Sequence, residues 1–170
     1  YQIEEMAFAA EPYGILWCVR NDGVLIALTY QREHQVWGWH HHVTDGIIES
    51  VNVISEDNRD ALYLIVKRTI NGADVRYVER MEVRDTSSAS APFCVDSGLS
   101  YNGAPATIIS GLNHLEGEDV TVLADGNEVT GMTVVSGSIT LPRAASVVHV
   151  GLPYLPVIEL LDVDINSPSE

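Results

Sequence analysis

Five turn dipeptides punctuate this chain: Asp22-Gly23, Asp45-Gly46, Asn71-Gly72, Asn102-Gly103 and Asp125-Gly126. Each supplies the positive-φ positions that a tight hairpin requires. Between them lie short runs rich in Val, Ile, Leu and Tyr, which predict strands over residues 15–20, 24–30, 35–43, 47–54, 62–69 and 73–83. No 3.6-residue apolar stripe persists long enough for a helix, so the expected fold class is all-β.

Residues 86–92 are small and poor in large apolar side chains, the composition of a linker. The charge balance steps at the same place. Residues 1–85 hold 8 basic against 14 acidic side chains, a balance of −6, whereas residues 86–170 hold 1 against 10, a balance of −9. A boundary is therefore expected there. The segment 1–85 reads as antiparallel strands in meander order, like one propeller blade and part of another. Short strands over 93–95, 106–109, 120–124, 132–135, 138–141 and 147–150 suggest that residues 93–165 form a small β-barrel, with 166–170 a frayed tail. A blade does not cover its own faces, and the chain starts at Tyr1 without a methionine, so it reads as a piece of a longer protein.

Composition narrows the partners. The 170 residues are 46% hydrophobic and 19% charged, ordinary for a soluble globular chain able to bury a core. A net charge of −15 repels nucleic-acid phosphates and anionic membranes, so neither is an expected partner. The apolar runs 24–28 and 62–66 are too short to span a bilayer. The two cysteines, Cys18 and Cys94, lie in apolar stretches outside any C-x-x-C pair and read as isolated buried thiols.

Little in the chain invites chemistry. In Trp37-Gly38-Trp39-His40-His41-His42, strand parity sets His40 and His42 on one face and Trp37, Trp39 and His41 on the other. Two histidines two apart can start a zinc site, but His34, His114 and His149 stand at no matching spacing, so no metal is expected. The tryptophan face is expected to pack in the core. Asp162-Val163-Asp164-Ile165-Asn166 opens like a calcium loop but lacks the glycine and the closing glutamate. The acids cluster in turns, Glu56, Asp57 and Asp60 in one and Glu116, Glu118 and Asp119 in another, where solvated loops are the default reading. No nucleophile elbow, phosphate loop or dinucleotide fingerprint occurs, so no catalytic residue, cofactor or metal ligand is assigned. Lys67, Arg76, Arg80 and Arg84 lie on adjacent predicted strands. They read first as a solvated face with cross-strand ion pairs, and second as a basic stripe that docks an acidic neighbour.

Three groups of residues carry a resemblance. They are Gly111-Leu112-Asn113-His114-Leu115-Glu116-Gly117 with Val120 to Gly126, then Ile139-Thr140-Leu141-Pro142 with Val148 to Tyr154, and upstream Trp17 to Leu25, Leu28-Thr29-Tyr30, Val36 to Trp39 and Val75 to Arg80. Together they resemble phage and prophage tail proteins of the tail tubular or nozzle-like kind. The resemblance implies a C-terminal barrel similar to the first catalytic cysteine half-domain of ubiquitin-activating enzymes, without that chemistry, since neither Cys18 nor Cys94 matches a catalytic motif. In this reading Gly111, Gly117 and Gly126 are turn positions. The implied function is a non-enzymatic structural or assembly module of a virion tail, made in the bacterial cytoplasm, whose partners are other tail proteins or copies of itself. The first alternative is a host-glycan-binding module with Tyr101 or Tyr154 lining a groove; the second is a cell-envelope hydrolase.

Overall fold

The computed structural model describes residues 1–157. The fold is all-β, with three antiparallel sheets and one short 3-10 turn, Asn113–Leu115. The strands are β1 (Ile3–Ala9), β2 (Ile15–Arg20), β3 (Leu25–Gln31), β4 (Val36–His42), β5 (Ile47–Glu56), β6 (Arg59–Ile70), β7 (Ala73–Arg80), β8 (Asp96–Ser110), β9 (Asp119–Ala124), β10 (Asn127–Thr133) and β11 (Ser138–Leu152).

The first sheet is the four-stranded meander β1-β2-β3-β4, and the second is the meander β5-β6-β7. Alternation makes them stack. Trp17, Val19, Leu25 and Ala27 point from the first sheet towards Ile48, Val51, Leu62, Leu64 and Val66 of the second, and all are buried in one core. Polar contacts pin the two layers. The Val51 amide donates to Glu5 Oε2 at 2.9 Å, and the Ala10 and Glu11 amides donate to Asp60 Oδ2 at 2.7 and 3.1 Å.

The third sheet runs β10-β9-β11-β8. Among the described residues no pairing joins β8 to β10, so this sheet is open where a barrel was expected. Instead its core of Leu112, Leu115, Val122, Val148 and Val150 takes in Ile70 of β6, with Val75 and Tyr77 of β7 packed against it. The β6–β7 hairpin therefore serves two cores. Its tip is tied across by the Asn71 amide, which donates to Glu118 Oε1 at 2.8 Å, and by the Tyr77 hydroxyl, which donates to the His114 carbonyl at 2.8 Å.

Several turns follow the sequence reading. Asn71 and Gly72 (φ 48° and 74°) join β6 to β7, and Asp125 and Gly126 (φ 46° and 80°) join β9 to β10. Gly111 and Gly117 also stand at positive φ. Two others differ. Asp45-Gly46 links strands of different sheets, and Asn102-Gly103 lies inside β8. There the register shifts between Ala145↔Ala106 and Val147↔Asn102, so the extra residues form a bulge and the chain does not turn. The expected strands 138–141 and 147–150 are one strand, β11; residues 93–95 form none; β1 was not anticipated, because Glu4 and Glu5 break its apolar run. Residues 81–95 contain no strand. The calcium-like stretch Asp162–Asn166 and the tail 166–170 lie outside the described residues.

Candidate functional site

The chemistry-bearing strand is β4, at the edge of the first sheet. Cross-strand pairing lines up Trp17, Ala27 and His40, then Val19, Leu25 and His42, on the face towards the core. His40 Nδ1 and His42 Nε2 share a hydrogen bond at 2.9 Å, and His40 Nε2 meets Thr29 Oγ1 at 3.0 Å. The indole of Trp17 lies 6.1 Å from the His40 ring and 5.1 Å from that of His42. Burial, with smaller contributions from His40, Arg84 and His41, pushes the His42 pKa down to about 4, and burial lowers that of His40. Both rings are neutral at neutral pH and direct their facing nitrogens at each other. Among the described residues no group of three His, Cys, Asp or Glu side chains could hold a metal ion.

That arrangement reverses the expected faces. Parity was read correctly, but Trp37 and Trp39 are 65% and 61% exposed, and the histidines, not the tryptophans, cover the core. The reason is the partner on the next strands. The buried Trp17 fills the inner face beside β4, leaving room there for imidazoles, whereas Gly38 and the edge position let the large indoles swing outward.

The outer face of the first sheet is consequently apolar. Phe8, Leu16, Leu28 and Trp39 form one row across all four strands, Met6, Cys18, Ile26 and His41 a second, and Tyr30 pairs with Trp37 in a third. Met6, Phe8, Tyr30, Trp37 and Trp39 are exposed. Monomeric proteins rarely expose a contiguous apolar layer of this kind. Cys18 is buried in the middle of the layer, and burial pushes its thiol up. Cys94 departs from the expectation: it is exposed, because it falls in the strandless 81–95 stretch.

The outer face of the second sheet mixes exposed Ile47, Ile54, Ile65 and Val78 with ion pairs. Arg76 grips Glu49 at 2.7 and 2.9 Å, Arg80 reaches Glu56 at 3.1 Å and Glu82 at 3.2 Å, and Lys67 lies 2.6 Å from Asp74. Lys67, Arg76 and Arg80 thus form cross-strand ion pairs, the first of the stripe's two readings, whereas Arg84 lies past the end of β7 and in none of these pairs. The acidic turns are less solvated than expected. Glu116 accepts the Ser136 and Gly137 amides at 2.8 and 2.6 Å, and Asp125 accepts the Val147 amide at 2.8 Å.

Two clusters escaped the sequence reading. Arg68, 2% exposed, holds Glu79 through two bonds of 2.6 and 2.7 Å and also donates to the Asp45 carbonyl. Asp96 lies beside it. Thr44 Oγ1 is close enough to act on the Asp96 charge, yet neither Thr44 Oγ1 nor Asp96 Oδ2 completes a hydrogen bond, and burial pushes the Asp96 carboxyl up. The signal was legible: Arg68 shares parity with Leu62, Leu64, Val66 and Ile70, a single charge on an apolar face. The second cluster lies in a cavity of about 520 Å³ lined by Arg59, Arg84, Phe93, Ser100 and His149. There Ser100 Oγ meets His149 Nδ1 at 2.7 Å, and His149 Nε2 meets the Ser90 carbonyl at 3.0 Å. No spacing in the sequence announces this pair, because 49 residues separate its members. Tyr101 donates its hydroxyl across the bulge of its own strand to the Ala104 carbonyl, and the Tyr154 side chain lies beside Cys94.

Comparison with models of known protein families gives no match, and comparison with curated proteins gives none either.

Proposed function

We propose that the chain is a non-enzymatic assembly module whose working surface is the outer face of the first sheet, and that its setting is a phage or prophage tail, as the sequence resemblance implies. One observation carries the reading: Trp37 and Trp39 turn outward and extend an apolar layer across four strands. Exposed aromatics at this density are the composition of interface hot spots, enriched in Trp and Tyr. The outer face of the second sheet carries ion pairs between its apolar side chains and exposes no tryptophan.

The Ser100–His149 pair favours a second reading, a hydrolase acting on cell-envelope polymers. Its geometry places a hydroxyl on a ring nitrogen whose opposite nitrogen is held, as nucleophile and base require. The holder is a backbone carbonyl, however, which supports a developing imidazolium less well than a carboxylate does. We therefore keep the assembly reading first. The aromatic layer also suits stacking of sugar rings, which keeps glycan binding as a third outcome of the test.

The experiment is incorporation of the full-length protein into purified particles, measured by mass spectrometry. A folded Trp37→Ser/Trp39→Ser variant is expected to be missing from particles while Ser100→Ala is incorporated normally. Normal incorporation of the double variant contradicts the proposal. Turnover of cell-wall polymer that Ser100→Ala abolishes would install the hydrolase reading, and saturable glycan binding lost with the tryptophans would install the other.

A further inference from the structure

The outer layer of the first sheet has relief. Met6 and Phe8 rise along β1, 61% and 56% exposed, and Trp37 and Trp39 rise along β4. Between these ridges lie the half-buried Leu16, Ile26 and Leu28 and the fully buried Cys18, which form a trough closed at one end by the exposed Tyr30 of β3. We infer that a second copy of this chain covers the face, by an isologous sheet-on-sheet contact in which the Trp37–Trp39 ridge of each copy lies in the Leu16–Leu28 trough of the other. The inference rests on the assembly reading and names the partner of that same surface.

Shape supports it first. A two-fold contact requires one patch to be its own complement, so that a ridge residue meets a trough residue and the converse holds. A ridge beside a trough on one flat sheet meets that requirement, and strands of stacked sheets align within about 30° of each other.

Area supports it second. Aromatic side chains each offer about 150–250 Å², and Phe8, Tyr30, Trp37 and Trp39 are each about half exposed or more. With Met6 and the trough, the face presents on the order of 700 Å². That exceeds the ~300–600 Å² of the largest patch on a typical monomer and approaches the ~800 Å² that each partner buries in a standard interface.

Charge supports it third. Arg20 stands at one end of this face, where Asp22 neutralises it at 2.5 Å, and the exposed Glu4 lies two residues before Met6 on β1. The rows that form the layer hold no Asp, Glu, Lys or Arg side chain. Pairing through these rows thus brings no like charges face to face.

Sedimentation equilibrium and light scattering on the purified chain test the inference. The expected mass is twice the 18.6 kDa of one chain, dissociating on dilution. Trp37→Lys/Trp39→Lys is expected to weaken the dimer at least a hundredfold while circular dichroism keeps the β spectrum of the wild type; Phe8→Lys, at the opposite edge, leaves dimerisation weakened less. A wild-type monomer, a dimer indifferent to both variants, or open-ended oligomers would overturn the inference. A monomer that binds an apolar dye through Trp37 and Trp39 overturns the second copy as occupant and leaves the assembly face for another chain. A monomer that binds no dye ends both readings.

Discussion

Arg68 on β6 and Glu79 on β7 form a two-pronged ion pair at the boundary between the two hydrophobic cores, with Leu62, Leu64 and Val66 on one side of it and Ile70 on the other. The hairpin that carries them is the common wall of both layers. Losing one partner leaves the other charge buried and unmatched. Arg68→Met is therefore expected to cost about 3–5 kcal/mol, and Arg68→Met/Glu79→Met to recover most of that loss, because removing both charges removes both desolvation penalties. Urea unfolding of the three proteins checks this.

The tryptophans should separate cleanly. Trp17→Ala empties a buried site and is expected to cost about 3–5 kcal/mol. In protein dilute enough to be monomeric, Trp39→Ala removes only exposed surface and cross-strand contact, with a cost of about 1 kcal/mol or less. Equal losses in thermal or urea melts would mean that the faces of β4 are assigned wrongly.

The His40–His42 pair sets an acid limit. His42 is held neutral in the folded chain, its pKa lowered to about 4, while the unfolded chain protonates near the ordinary value of 6.5. The unfolded state therefore binds the extra proton first as pH falls. Its contribution is complete above pH 6.5 and is lost progressively down to about pH 4. After solvent screening the loss is about 2 kcal/mol. His42→Leu should flatten the stability profile between pH 6.5 and 5, above the range where carboxylates titrate.

Asp96 behaves with the opposite sign. Burial raises its folded pKa, so the folded state holds its proton more tightly, and stability declines as pH rises from the unfolded value through the folded one. Asp96→Asn should raise the melting temperature at pH 8 by about 2–4 °C, the size of a 1 kcal/mol change in a chain of this length. No gain at pH 8 would show that the carboxylate has a partner in solution.

Local rules carried the fold a long way. Alternation and Asn-Gly or Asp-Gly turns place β2, β7 and β9 within a few residues, because hairpin pairing is decided nearby in the chain. Parity also sorted Trp37 and Trp39 from His40 and His42. Assigning the tryptophan face to the core was wrong, because the choice of face depends on Trp17, which His40 and His42 meet only in three dimensions. Asn102-Gly103 misled for a related reason: a bulge and a turn use the same residues, and the long partner β11 selects the bulge. The Ser100–His149 pair and the sharing of Ile70 between sheets are non-local contacts with no signature along the chain.

In the proposed assembly the outer face of the first sheet is exposed in one chain and covered between copies. Hydroxyl-radical footprinting across a dilution series measures it residue by residue. The account predicts oxidation of Met6, Phe8, Trp37 and Trp39 in dilute protein, joint protection of the four as concentration rises, and protection of Trp17 throughout. Protection of Trp37 and Trp39 at every dilution, or oxidation that ignores concentration at all four positions, would contradict it.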